Sequence, residues 1–164
     1  MHGSRFARLL VGTVAAAAMI IGSATIAGAD APTKLQVVVN QPPGSPPHFD
    51  VTGLSGTLAA DTYKLEFTNN SPVAPHVVVV VTNLPPGVTD LASFRNLVDA
   101  VETGQQEPPP DSFVGAVFAK AGQEHQKLFD MSEPGTYGYF CPIRTPNGET
   151  GHYDMGFIGL FTVA

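Results

Sequence analysis

The chain has 164 residues, of which 43% are hydrophobic, and it carries 14 acidic against 8 basic side chains for a formal net charge of −6. This acidic balance argues against nucleic-acid binding, because that function relies on basic patches that neutralise phosphates. It favours a soluble protein that meets a partner of basic surface.

The N-terminus has the pattern of an export signal. Two arginines precede an apolar stretch from Leu9 to Ile21, and Ala27-Gly28-Ala29 forms a small-x-small cleavage pattern. We therefore predict a signal peptide over residues 1–29 and one domain over residues 30–164, located in the periplasm or secreted. The alternative is an uncleaved anchor, since the uncharged part of the leader could just span a bilayer. We expect no membrane span in the mature chain unless the leader is retained.

The first half of the domain has the pattern of short strands between turns. Alternating apolar residues predict strands over residues 35–39 and 62–67, and the proline- and glycine-rich segment Gln41 to Pro47 ends the first of them. The continuous β-branched run from Val77 to Val81 is typical of a strand covered on both sides.

The apolar period changes between Asp90 and Thr103. Apolar residues recur there at spacings of three and four, which predicts an amphipathic helix over about residues 90–103, with Thr89 or Asp90 as its N-cap. These residues are Leu91, Phe94, Leu97, Val98 and Val101.

The remaining elements are again strands. They are expected over residues 113–118, 125–129, 137–141 and 156–163, separated by glycine and proline turns. About seven strands and one inserted helix in a chain of this size predict a β-sandwich, whose loops cluster at its two ends.

The chain has one cysteine, Cys141, which cannot form an internal disulfide. In an exported protein, a lone cysteine is a metal ligand, a reactive thiol or an inert buried residue. Cys141, His152 and Met155 lie in one loop between two predicted strands, and His76 immediately precedes another. A thiol, imidazoles and a thioether are a soft ligand set suited to copper. If the two strands are neighbours, all four side chains can meet at one end of the sandwich.

Two segments around these residues resemble those of a known family. Asn69 to Val77 is similar to the first-histidine segment of the cupredoxins, the small blue copper proteins that include plastocyanin, amicyanin and azurin. Pro134 to Gly159 is similar to their Cys-His-Met loop, and the resemblance covers roughly residues 63–164. It implies an all-β, Greek-key cupredoxin-like sandwich of about seven or eight strands that binds one copper ion, cycling between Cu(I) and Cu(II).

The resemblance also implies a role for each residue. His76 and His152 correspond to the equatorial imidazole ligands, Cys141 to the equatorial thiolate and Met155 to the weak axial ligand. The implied function is that of an exported mononuclear copper protein, a monomer and not an enzyme, that carries single electrons between redox partner proteins of basic surface.

The sequence departs from the family pattern at two places. Family members usually place the second histidine two to four residues after the cysteine, whereas ten residues intervene here and Arg144 stands where a histidine often does. Because the His-x-x-Met spacing is retained, we interpret Arg144 to Gly151 as an insertion. Several members also have an asparagine after the first histidine that ties the two ligand loops together, and Val77 occupies that place.

Other functions stay open at this stage. The same ligands would serve copper storage, delivery or sensing without electron transfer, and a metal-free sandwich would serve in adhesion or as an interaction module. A nucleophilic thiol and imidazole pair is a further alternative, although it gives the methionine no role. Tyr153 and Phe157 are either part of an apolar docking patch or core residues, and His48 is the substitute ligand if His152 is not one.

Overall fold

The computed structural model describes residues 31–42, 48–145, 148 and 150–164. The predicted leader, residues 1–29, lies outside these residues. No helix in the described part is long and apolar enough to cross a membrane. The described residues form nine strands and one helix: β1 Thr33–Asn40, β2 Asp50–Thr52, β3 Thr57–Leu58, β4 Asp61–Asn69, β5 His76–Val81, α1 Leu91–Glu102, β6 Phe113–Ala119, β7 Glu124–Met131, β8 Gly135–Phe140 and β9 Ile158–Val163.

The strands form two sheets, in the orders β2-β1-β4-β7 and β3-β9-β8-β5-β6. The pairs β1–β4 and β3–β9 are parallel, and the other pairs are antiparallel. The prediction of a β-sandwich with one helix is confirmed. The described strands outnumber the seven or eight that we expected, because β2 and β3 have only three and two residues and are too short to leave an alternating pattern.

The core lies between the two sheets. Leu65 and Phe67 of β4 are fully buried, as are Val78 and Val80 of β5 in the other sheet. The alternate residues of β5 are only partly buried, so its outer face is less covered than its continuous apolar sequence predicted. Alternation of this kind fixes the register, because a slip by one residue would turn the buried face of the strand outward.

The helix α1 packs on the outer face of the five-stranded sheet. It agrees with the predicted helix over residues 90–103, and Asp90 is its N-cap, accepting a hydrogen bond from the N–H three residues further on. Phe94 and Val98 are the buried residues of the helix. The close approach requires a glycine in β8, since a Cβ on Gly138 would lie 2.2 Å from the Phe94 ring.

The topology brings the candidate residues to one end of the sandwich. Strand β5 begins at His76, and its antiparallel neighbour β8 ends at Phe140, one residue before Cys141. The register pairs Val79 with Phe140, so the first residues of β5 lie beside the segment that follows β8. The loop that carries the other candidates leads from there into β9.

Candidate metal centre

Three side chains meet at this end of the sandwich. The Sγ atom of Cys141 lies 3.8 Å from Nδ1 of His76 and 3.6 Å from Nδ1 of His152, and the two Nδ1 atoms lie 3.1 Å apart. All three residues are buried, with exposures of 0%, 0% and 4% for Cys141, His76 and His152. Among the described residues, this is the group of metal-ligating side chains whose donor atoms converge.

The distances among the three donor atoms test whether a metal ion would fit between them. A point equidistant from the three donor atoms lies about 2.0 Å from each, close to the range of about 2.0–2.3 Å for nitrogen and thiolate bonds to zinc. Two imidazoles and one thiolate in a trigonal arrangement are the donor set of blue-copper sites. The residues present therefore fit a single copper ion.

A buried asparagine holds the loop before His76. The Asn69 side chain donates to the carbonyls of Ala74 and Ala119 at 2.9 and 3.1 Å, and its Oδ1 atom accepts from the N–H of Ser71 at 2.9 Å. These three bonds fix both ends of the turn and its attachment to β6. The histidine itself is the first residue of β5, so the strand register also fixes its orientation.

Cys141 is held by backbone contacts on both sides. Its N–H donates to the carbonyl of Phe157 at 3.1 Å, and the N–H of Val77 points at its Sγ atom at 3.5 Å. Burial raises the pKa of the thiol to about 11, opposed by the N–H groups of Val77 and Ile143, which favour the thiolate, while Glu102 adds to the rise. Pro142, which follows the cysteine, has no N–H to donate, so the backbone donors to the sulfur are the N–H groups of Val77 and Ile143.

His152 reaches the centre because the two ends of the segment from Arg144 to Gly151 are paired with each other. Arg144 pairs with Gly151 in an antiparallel bridge, and the N–H of Thr145 donates to the carbonyl of Thr150 at 2.8 Å. The N–H of His152 then donates to the carbonyl of Ile143 at 2.8 Å. Ile143 and His152, on either side of this segment, are thus held next to each other.

The pKa values of the two histidines reflect their burial. Burial, with a smaller contribution from His152, lowers the pKa of His76 to about 3, and burial also lowers the pKa of His152. Both imidazoles are therefore neutral near pH 7, the form that binds a metal. The Nε2 atom of His76 is buried without a hydrogen-bond partner among the described residues.

Met155 lies on the turn that follows His152. Its N–H donates to the carbonyl of His152 at 3.1 Å, and its own carbonyl accepts from the N–H of Phe49 at 2.7 Å. The side chain is partly buried and packs against the core that includes Cys141. Its backbone is thus fixed on both sides, next to the three converging residues.

Phe49 is a component of the site that sequence reasoning missed. Its ring, 2% exposed, lies 4.5 Å from the His76 ring at 78° and 5.0 Å from the His152 ring. It precedes a three-residue strand, so no apolar period in the sequence pointed to it. The adjacent His48 is exposed and pairs with Asp50 at 3.2 Å, and it is not part of the converging group.

Tyr153 and Phe157 are core residues. Both are 0% exposed, and Phe157 lies 5.2 Å from the His76 ring. They therefore cannot supply the exposed docking patch that was one of the two interpretations. An exposed large apolar side chain in the loop before His76 is Val73, which is 76% exposed.

Comparison with known proteins identifies the fold. No known family profile matches the chain, and no curated protein sequence is similar to it. Auracyanin A, a "blue" copper protein from Chloroflexus aurantiacus, is similar in structure, with a TM-score of 0.52 and 22% identity over 82% of this chain and 100% of that chain. Auracyanin B follows with a TM-score of 0.50 and 21% identity over 83% and 92% of the two chains. An azurin from Methylomonas sp. strain J gives a TM-score of 0.50 and 13% identity over 82% and 99%. This chain has a cupredoxin fold.

Proposed function

We propose that the chain is an exported type 1 copper protein that carries single electrons between redox partners. In this proposal His76, Cys141 and His152 are the equatorial ligands and Met155 is the weak axial ligand. The convergence of three buried donor atoms within 3.8 Å of one another carries the proposal. The cupredoxin fold supports it, because auracyanin A, a protein of similar structure, is a "blue" copper protein.

The residues around the donors suit electron transfer. A bound copper ion would supply a one-electron couple, and the protein would hold both oxidation states in nearly one geometry. Here the two histidines are attached to different elements, β5 and the loop before β9, each fixed by backbone hydrogen bonds. The rings of Phe49 and Phe157 pack against the imidazoles and exclude water from them. A framework of this kind limits rearrangement when the charge of the centre changes.

The copper-loaded protein is the direct test. The mature protein with one equivalent of cupric ion should be intensely blue or green from thiolate charge transfer, with an EPR spectrum of one copper centre. Cys141→Ser should remove the colour while the metal-free protein stays folded by circular dichroism. His125→Gln is the matched control, because His125 is exposed on β7 and should leave the colour unchanged. A colourless wild-type protein with weakly bound cupric ion contradicts the proposal.

Copper storage, delivery or sensing is the second candidate, and the length of the loop between Cys141 and His152 is the feature that favours it. The paired backbone of that loop favours the electron carrier, because a cargo site must open to release its ion. Reversible voltammetry and fast electron self-exchange are expected of the carrier. Irreversible voltammetry together with rapid loss of copper to a chelator would support storage or delivery.

Export and partner choice complete the proposal. We propose that residues 1–29 are removed on export, that the mature protein is a monomer in the periplasm or outside the cell, and that its acidic surface meets a basic redox partner. The exposed Val73, three residues before His76 in the chain, would be an apolar contact in that encounter. The intact mass of the protein after periplasmic expression tests whether the leader is cleaved. The ionic-strength dependence of the rate of electron transfer to a basic partner protein tests whether the acidic surface attracts that partner.

A further inference from the structure

The ligand loop is attached to the helix α1 through Tyr153, the residue after His152. The Tyr153 side chain is fully buried, and its hydroxyl donates to Oδ1 of Asp99 on α1 at 3.1 Å. The same hydroxyl lies 3.4 Å from Nη2 of Arg144, which donates to it. Tyr153 thus connects the helix, the inserted segment and the ligand loop at one atom.

The Tyr153 ring is as firmly placed as its hydroxyl. It belongs to the buried cluster under α1 with Phe94, Val98 and Ile158. It also occupies the space beside Gly151, where an added Cβ would lie 2.3 Å from the ring. Because a fully buried ring of this size cannot move without opening a cavity, the backbone next to His152 is fixed with it.

A second contact joins the same face of α1 to the loop. Nη1 of Arg95 lies 3.5 Å from the carbonyl oxygen of Asp154 and 4.0 Å from its carboxylate. Arg95 and Asp99 are four residues apart and therefore neighbours on the helix surface. An exposed ion pair contributes little stability by itself, so Tyr153 is the main attachment between the loop and α1.

The geometry points to Tyr153 as a positioning residue: it anchors the backbone of His152 to α1 and thereby holds that imidazole against Cys141. This inference rests on the proposed function of the centre. Val77, the residue after His76, has no side-chain group that could hydrogen-bond to the loop that carries His152. The contacts from α1 hold that loop from outside the centre instead.

The test uses Tyr153→Phe, which removes the hydroxyl and keeps the ring, and Asp99→Ala, which removes the acceptor at an exposed position. Asp99→Asn is the conservative variant, because its amide oxygen still accepts the hydrogen bond. Tyr137→Phe is the matched control, since that buried hydroxyl donates to the carbonyl of Glu133 at 2.8 Å, at the start of β8 and away from the centre. Two readouts are measured: amide hydrogen exchange across residues 150–156 in the metal-free protein, and the charge-transfer and EPR spectra with copper.

We expect exchange across residues 150–156 to become about tenfold faster in Tyr153→Phe and in Asp99→Ala, as for loss of one hydrogen bond. Exchange should be unchanged there in Asp99→Asn and Tyr137→Phe. The copper spectra should shift in the first two variants only. If Tyr153→Phe matches Tyr137→Phe in both readouts, or fails to fold while Asp99→Ala matches wild type, the inference is wrong. If the copper-loaded wild-type protein has no charge-transfer band, the proposed function is wrong. The hydrogen-exchange readout on the metal-free protein would still decide whether Tyr153 fixes the loop.

Discussion

Arg144 and Gly151 face each other in an antiparallel bridge, and this pairing keeps the two ends of the long ligand loop next to each other. Ten residues separate Cys141 from His152, yet the Sγ atom and the imidazole Nδ1 atom lie 3.6 Å apart. Because Arg144 lies beside Gly151, the length of the segment between them does not set the distance between the two candidate ligands. Sequence spacing is therefore a poor guide to ligand distance wherever the intervening residues can pair with one another.

Replacing Gly151 with alanine tests how tightly the loop is packed. Its Cβ would lie 2.3 Å from the Tyr153 ring, which has no free space to move into, so we expect a loss of about 1–3 kcal/mol in the free energy of unfolding. Urea denaturation of the metal-free protein measures this loss. Gly87→Ala is the control, because a Cβ there would meet nothing within 4 Å, and its free energy should change little. Equal denaturation midpoints for the two variants would contradict the packing argument.

Replacing Asn69 should destabilise the protein far more than replacing its neighbour Asn70. Asn69→Ala removes the side-chain bonds to the carbonyls of Ala74 and Ala119 and to the N–H of Ser71, and the loss of these three bonds should cost about 2–4 kcal/mol in the free energy of unfolding. Copper affinity should fall with it, because the loop before His76 loses its anchor. The exposed Asn70 bonds only to the Asn40 side chain among the side-chain contacts described, so Asn70→Ala should stay close to wild type. Competition with a copper chelator measures the affinity, and comparable losses in both variants would exclude this role for Asn69.

The sequence predicted the elements whose residues keep a regular period. The helix α1 has apolar residues at spacings of three and four and a capping aspartate, and it lies within a residue of its predicted bounds. The alternation in residues 62–67 likewise marked the strand β4. The short strands β2 and β3 left no signal, because two or three residues do not make a period.

The surroundings of the candidate ligands were harder to predict than the ligands. The chemical types of Cys141 and His152 pointed to a metal, but nothing in the spacing of Phe49 indicated that its ring contacts both imidazoles. The backbone N–H of Val77 near the sulfur is equally invisible in a sequence, since every residue but proline has one. Such contacts depend on strand register, which long-range pairing decides.

Proton release on copper binding follows from the burial of the donors. Burial raises the pKa of the Cys141 thiol to about 11, and it lowers the pKa values of His76 and His152. Between pH 7 and pH 9 the metal-free protein therefore holds one dissociable proton at the centre, on the sulfur, and metal binding must release it. Calorimetric titrations of copper in two buffers of different ionisation enthalpy should give about one proton per metal across this range. A count that falls to zero by pH 9 would mean that the thiol is already ionised.

Acid should weaken the metal-free protein through His76. The pKa of this histidine is about 3 in the folded protein, against about 6.5 for an ordinary histidine in an unfolded chain. Between these values the unfolded chain binds the proton and the folded protein does not, so the free energy of unfolding falls as the pH is lowered through this window. His76→Phe keeps a buried ring but cannot titrate, and it should show a smaller decrease in the urea midpoint between pH 7 and pH 4.5. Exposed His125 serves as the control, since His125→Gln should follow the wild-type decrease. If the wild type and His76→Phe lose stability in parallel over this range, another group must be responsible for the acid sensitivity.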